Sequence, residues 1–576
     1  MKNNYGLDAI PNDETTHLMK KSHILPTTQS TLRNGSCSDD EVRDIGIDNY
    51  EEMTTTAADD KQPSDFVSRC MHSMHTTTMR FLPYHPGLPI EANGCIMDVY
   101  ARATIFMATF FVGPALLKLA SQQAIANCVV MIQDVDAYNE CTKEPRIYGF
   151  KPSSLLTNMG AAASFISVIS LPLVGAVIDF TSYRRQVGMC AAFGLTLIKV
   201  LELDLGPANW FFVVCLQVLS AILFQTQKLA MYAYSAELSN QPTTQSGFQS
   251  SLALTLFGSM FLYMFEVQIP SRILKLETDV QIAKLAILVA IINCLPLFSF
   301  AWVRLFRDKP PASNINLPAP SSLGYLGQTS ILLTAGFHGL RRTYHEINSN
   351  YRSVRHFLMF SLAWSEAGIA GLPIISTTYM SEILEMDSLQ IGTVLLGTMI
   401  GGMPGSVIGN HFCRLYQNPV KSARVGLMVF TLNTIGAGLF LRPSTKNLMH
   451  VFAFVWGICI GWIHPQHTTI FVTISPSRDE GKGSVELMGL FLFSGQVLGF
   501  VPPLVFTILN EMGVPMWIGI STIGLYTLVG FVGLVYMGDY ETARRSGSKP
   551  VADNGGGTNI PVAQHIIKSN STAASR

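Results

Sequence analysis

The sequence predicts an all-α polytopic membrane protein with twelve transmembrane helices in two six-helix halves. Three observations predict it. Charged residues make up 14% of the 576 residues and hydrophobic residues 48%, where ordinary soluble proteins carry about 25% charge. Mean hydropathy is +0.31. A water-soluble chain of this length needs more charge to cover its surface. About twelve apolar segments also have the length, about 20 residues, that a bilayer demands. Finally, a polar stretch at 304–354 divides those segments six and six.

Residues 1–95 are polar and rich in Thr, Ser, Asp and Met, so they read as a disordered cytosolic arm. No signal peptide is expected, because Asp8, Asp13 and Glu14 stand where a basic stretch would. Glu14-x-x-x-Leu18-Met19 has the form of an acidic dileucine-type sorting signal, a string that plain tails also carry by chance. Cys70, His72 and His75 lack a fourth ligand at suitable spacing, and no metal site is expected.

The apolar segments fall near 98–120, 154–178, 187–205, 209–233, 248–268 and 282–303, an N-terminal six-helix bundle within 96–303. After the 304–354 linker come 356–380, 389–409, 422–441, 447–473, 485–509 and 514–537, a C-terminal bundle within 355–540. Residues 541–576 read as a disordered cytosolic tail. Lys and Arg crowd the loops after even-numbered helices (Arg184, Arg185, Arg304, Arg307, Arg414, Lys421), whereas Asp134, Asp136, Glu140, Glu382 and Glu385 occupy loops after odd-numbered ones. The positive-inside rule then places both termini in the cytosol and the loop holding Cys128 and Cys141 on the opposite side. If that compartment is oxidising, the two cysteines can form a disulfide.

The halves share a fragment. Gly175-Ala-Val-Ile178-Asp179 precedes Arg184 and Arg185, and Gly405-Ser-Val-Ile408-Gly409 precedes Arg414, each at the cytosolic end of the second helix of its half. Two halves repeated about an axis along the membrane normal is the arrangement of the major facilitator superfamily. Residues 175–185 resemble its G-x-x-x-D-x-x-x-x-R-R/K loop, which implies a charged latch that holds one conformational state. Packing glycines and topology-setting charges would leave the same pattern.

Leu333, Phe337, Leu340, Tyr344, Ile347 and Tyr351 form one apolar stripe of a helix, with Arg341, Arg342, Glu346 and Arg352 on its other faces. Such a helix is expected to lie on the cytosolic membrane surface or to bind a partner. Gly336-Phe337-x-x-Leu340-x-x-Thr343-x-x-x-Ile347, then Tyr351-Arg352 and Phe357-Leu358, resembles the lead-in to helix 7 of the vacuole effluxer family, the autophagy-related vacuolar amino-acid exporters. Pro114-Ala-Leu-Leu117, the Cys128–Cys141 loop, Pro476-Ser-Arg-Asp-Glu480, Gly489-Leu-Phe491 and Val501-Pro-Pro503 are similar to that family too. The chain departs from it at Gly495-Gln496, where Gly-Lys or Asp-Lys is usual, and near Thr468, where an Arg is. The resemblance implies amino-acid transport across a vacuolar or lysosomal membrane, from lumen to cytosol; a plasma-membrane location stays open.

Depth sorts the charged residues. A charge at the bilayer centre costs about 2.5 kcal/mol or more, so each needs a reason. With about 1.5 Å of rise per residue, midplane lies roughly ten residues from each helix end. Lys228 (helix 4), Glu366 (helix 7) and His464, with Gln466 and His467 just beyond it (helix 10), all fall near that depth. Asp98 and Arg102, one turn apart, read as a snorkelling pair at the cytosolic edge. Lys228 and Glu366 can hold the two ends of a zwitterionic amino acid, or pair with each other as a structural bridge. Histidine's unperturbed pKa is about 6.5, so the pair can couple transport to protons, or stand neutral as helix-to-helix bonds.

No Walker loop, HExxH or nucleophile elbow is found in a plausible setting, so neither an enzyme nor a cofactor is expected. With Lys+Arg and Asp+Glu both at 39, nothing points to nucleic acid. The reading is a secondary transporter of a small solute. A sugar, organic-ion or peptide facilitator and a non-transporting receptor or scaffold are the alternatives.

Overall fold

The computed structural model describes residues 89–131, 141, 144–238, 242–310, 336–475 except 338, 342 and 346, and 484–547. The sorting-type string and the Cys70, His72, His75 group lie outside them. So does Leu333 of the linker stripe.

Among the described residues the chain is helical, apart from one isolated bridge between Ile147 and Phe150. The first half comprises α1 (Glu91–Met131), α2 (Leu155–Phe180), α3 (Arg184–Glu202), α4 (Trp210–Ala236), α5 (Pro242–Ile273) and α6 (Asp279–Phe300). The second comprises α7 (Arg352–Glu382), α8 (Ser388–Tyr416), α9 (Pro419–Phe440), α10 (Leu448–Ile474), α11 and α12 (Met516–Tyr536). α11 is in two pieces, Ser484–Gln496 and Val501–Glu511. A short α13 (Tyr540–Gly547) follows. Among the described residues, eleven of the helices α1–α12 are long and apolar enough to span a membrane. α3 is the exception, because Arg184, Arg185, Lys199 and Glu202 all fall within its 19 residues. Large apolar side chains stand exposed along the outside, among them Phe212, Leu432, Phe440 and Val535, a surface that lipid covers.

Local chemistry sets the ends. Asp387 and Gln390 form a capping box at α8, and Asn418 accepts from the Val420 and Lys421 N–H groups at α9. α11 breaks because Pro502 and Pro503 carry no N–H to continue the ladder, so the second piece restarts with proline in its first turn. α8 and α10 pack backbone to backbone: Gly401 and Gly405 face α10, and Gly457 and Gly461 face α8. Two G-x-x-x-G pairs thereby meet.

The linker stripe divides. Ile347 and Tyr351 of the stripe, and Thr343 beside them, are buried against the protein, while Phe337 and Tyr344 are exposed. A Cβ at Gly336 would run into the Pro172 carbonyl of α2. The segment is therefore docked on the helices and not laid on lipid along its whole stripe.

Cys128 and Cys141 are joined in a disulfide, with Cα atoms 5.9 Å apart. Breaking it, by Cys141→Ser or by reductant, is expected to lower stability by roughly 3 kcal/mol, the loop-closure value for about fifteen residues. The thermal midpoint in detergent measures this. An unchanged midpoint would mean that other contacts hold the loop.

Candidate functional site

Four helices bring ionisable groups to one place at mid-depth. After its first turn, Arg352–His356, α7 carries a π-helical stretch, Phe357–Leu362, whose wider turn resets the helix face just before Glu366. Glu366 Oε1 lies 2.7 Å from His467 Nδ1 and 3.1 Å from His464 Nδ1. The two imidazoles stand three residues apart on α10 and so share a face. Their environments differ: the His467 side chain is 1% exposed and the His464 side chain 46%. Gly495 on α11 lies against Glu366, and a Cβ there would make ordinary contact with its side chain at 3.7 Å. Lys228 of α4 sits with its ammonium 6.0 Å from the centre of the Tyr232 ring. It is within electrostatic reach of Arg102 on α1 and of Glu366. Gln466 does not join the group. At about 100° per residue it is turned roughly 200° from His464, and it is buried with no bond from its Oε1 among the described residues.

Asp98 and Arg102 are not a snorkelling pair. α1 starts at Glu91, two turns before Asp98, which carries the pair inside the first half. Asp98 is fully buried. It accepts from Arg102 Nε at 2.7 Å, Gln227 Nε2 at 2.7 Å and Trp302 Nε1 at 2.8 Å. A π-helical turn, Ala301–Leu305, carries Trp302 there, packed where Gly188 of α3 has no side chain. A second buried pair was missed from sequence. Lys199 Nζ bonds Glu202 Oε2 at 2.8 Å, and Gln217 Nε2 donates to the same oxygen at 3.0 Å. An opposite-charge pair three residues apart inside an apolar helix was the available signal.

The expected latch residues divide. Arg184 is buried and bonds Glu237 Oε1 at 2.7 Å, while Lys309 bonds Oε2 at 2.9 Å. Burial pushes the Glu237 carboxyl up, but the hydrogen bonds from Lys309 and Arg184 outweigh it and hold it below the usual range. Arg185 donates to the Trp302 and Val303 carbonyls and pairs with Asp308 at 3.0 Å. Both arginines thus tie α3 to neighbouring helix ends of their own half. Asp179 is half-buried at the end of α2, and Arg414 is exposed. The glycines of the shared fragment differ too. Gly405 lies against the Ile458 carbonyl, whereas among the described residues a Cβ at Gly175 would meet only a Leu229 methyl, at 3.9 Å.

Side-chain bonds between the halves gather at the Cys128–Cys141 end. Glu511 at the end of α11 accepts from the Lys151 N–H (2.9 Å) and the Ser154 hydroxyl (2.7 Å), and pairs with Arg146 at 3.3 Å. Asn510 Nδ2 donates to the Ser153 and Ser154 hydroxyls at 2.8 and 2.9 Å, and the Thr157 and Thr507 hydroxyls are 2.7 Å apart. Across the seam, Asp279 accepts from the Ser388 N–H at 3.2 Å.

No protein-family model matches the sequence, and no curated protein is significantly similar to it. Solved structures are similar. The human organic anion transporter MFSD10 (TETRAN) superposes with a TM-score of 0.54 at 14% identity, over 77% of this chain and 99% of that one. The nucleoside transporter NupG superposes with a TM-score of 0.51 at 11% identity, over 78% of this chain and 100% of that one. This chain has the major facilitator fold. Its two halves are α1–α6 and α7–α12, and the mid-depth cluster lies on α1, α4, α7 and α10, which reach it from both halves.

Proposed function

We propose that the protein is a secondary transporter of a small solute, working by alternating access of α1–α6 against α7–α12. The observation that carries this reading is the mid-depth cluster of Lys228, Glu366, His464 and His467 at the seam between the halves. A scaffold has no need of charged groups there, where each is costly. The solute we infer is an amino acid. Lys228 takes its carboxylate, and Glu366 takes its ammonium through Oε2, since both imidazoles bond Oε1. Resemblance to the vacuole effluxers supports a vacuolar or lysosomal membrane, export from lumen to cytosol, and proton coupling through the histidines. The loop charges support cytosolic termini. Asp179, Arg184 and Arg185 would stabilise one state by fixing α3 to the helix ends beside it.

Uptake into proteoliposomes over a panel of neutral amino acids, sugars and organic ions tests the reading. Glu366→Gln hardly changes volume but removes a charge-assisted bond of about 1.5–3 kcal/mol. Amino-acid uptake is expected to fall about tenfold or more at equal expression. Undiminished uptake would make Glu366 a structural residue, and uptake of sugars alone would overturn the amino-acid reading.

A further inference from the structure

One carboxylate at the seam is faced by ionisable groups from three other helices. Glu366 is met from α10 by His464 and His467. Lys228 and Tyr232 approach from α4, Arg102 on α1 is within electrostatic reach of both, and Gly495 of α11 lies against the Glu366 side chain. On α12, Tyr526 stacks on Trp364, two residues before Glu366. Arg102 is already matched by Asp98 at 2.7 Å. Among the described residues Lys228 makes neither an ion pair nor a hydrogen bond; its ammonium has only the Tyr232 ring, 6.0 Å away. A cation at mid-depth without an anion is the most costly arrangement in the cluster.

The two imidazoles are not equivalent. Among the described residues, His467 Nε2 is buried without a partner, and the ring packs edge-on to Phe357 at 6.0 Å. A proton added there would leave an orphaned N–H in apolar surroundings. The exposed His464 can keep Nδ1–H on Glu366 and accept a proton at Nε2, where solvent can satisfy it.

We propose that Lys228 is the subsite for the substrate's carboxylate and that one proton, taken up at His464 Nε2, travels with it. This deepens, and rests on, the transporter reading above. While His464 is neutral, the full charge of Glu366 attracts Lys228 across the seam. Once His464 is an imidazolium, Glu366 is held to α10 and Lys228 is left to attract a carboxylate from the substrate. Proton and substrate therefore bind cooperatively, and each promotes the other by the same factor. His467 is a positioning residue that fixes the Glu366 carboxylate. An acidic compartment on one side then drives the substrate toward the other.

The test measures binding to the purified full-length protein, together with proton uptake in weak buffer. The probes are leucine, 4-methylpentanoate (carboxylate without amine) and leucinamide (amine without carboxylate). Leucine and 4-methylpentanoate are expected to bind with uptake of close to one proton. Their affinity should rise as pH falls, by up to tenfold per unit, the limit for one linked proton. Lys228→Gln should abolish binding of both. His464→Gln should leave weak binding that no longer depends on pH, whereas His467→Gln should weaken binding but keep its pH dependence. Leucinamide binding as tightly as leucine, or protons released on binding, would overturn the proposal while leaving the transporter reading in place. Failure of all three probes to bind would overturn the proposal and the amino-acid assignment together. Uptake of another solute by the same preparation would then show that transport itself survives.

Discussion

Gly457→Leu is expected to abolish recovery of folded protein. At this crossing α8 and α10 touch through their backbones. A Cβ at Gly457 would collide with the Thr398 carbonyl oxygen and one at Gly461 with the Gly402 carbonyl, while Gly401 and Gly405 stand against the Phe454 and Ile458 carbonyls. Close approach of this kind brings Cα–H groups onto facing carbonyls and is how membrane helices associate where no hydrophobic drive separates protein from lipid. Overpacking a core that can relax costs about 1–3 kcal/mol. Here the obstacle is backbone, so the helices must part along their length and the cost should exceed the 4–5 kcal/mol that few single substitutions reach. The readout is the monodisperse peak in detergent at matched expression. Gly258→Leu on α5 is the control, because among the described residues nothing lies within 4 Å of a Cβ there. A Gly457→Leu protein eluting and melting like wild type would show that the crossing yields. Because α10 also carries His464 and His467, a partial separation would loosen Glu366 before the fold is lost.

The architecture was legible because bilayer thickness fixes the length of apolar runs, and those runs are counted directly from the sequence. Depth was legible for the same reason, and it picked out Lys228, Glu366, His464 and His467. What depth does not encode is lateral position around a helix. Gln466 sits at the right level on the wrong face. That both imidazoles converge on a single carboxylate oxygen is a fact about the distance between α7 and α10, which no local pattern carries. Asp98 was misplaced because the first seven residues of α1, Glu91–Met97, are mixed in polarity, so the apolar window began two turns late. Lys199 and Glu202 escaped notice because the leucines and alanines of α3 outweigh them in any average. The repeat led to Gly175 and Gly405 alike, but only Gly405 meets a helix backbone. A repeated sequence fragment does not guarantee a repeated neighbour.

The Thr157→Cys, Thr507→Cys double variant is expected to lose transport when oxidised and to regain it on reduction. The two hydroxyls are 2.7 Å apart, one on α2 and the other on the second piece of α11. Cysteines at these positions fall within the few ångströms that a disulfide spans. The pair lies inside the network of Ser153, Ser154, Asn510 and Glu511 that joins the halves at this end. If the halves rock about a central site, these bonds form in one state and break in the other. A covalent bond in their place confines the molecule to one state, so uptake should fall at least tenfold. Each single-cysteine variant should transport normally under the same oxidant, since it merely replaces one hydroxyl at an otherwise intact seam. Limited proteolysis under non-reducing conditions establishes that the bond has formed. Uptake at the wild-type rate from fully cross-linked protein would mean that α2 and α11 stay together throughout the cycle, and the moving boundary would then have to lie elsewhere than between α1–α6 and α7–α12.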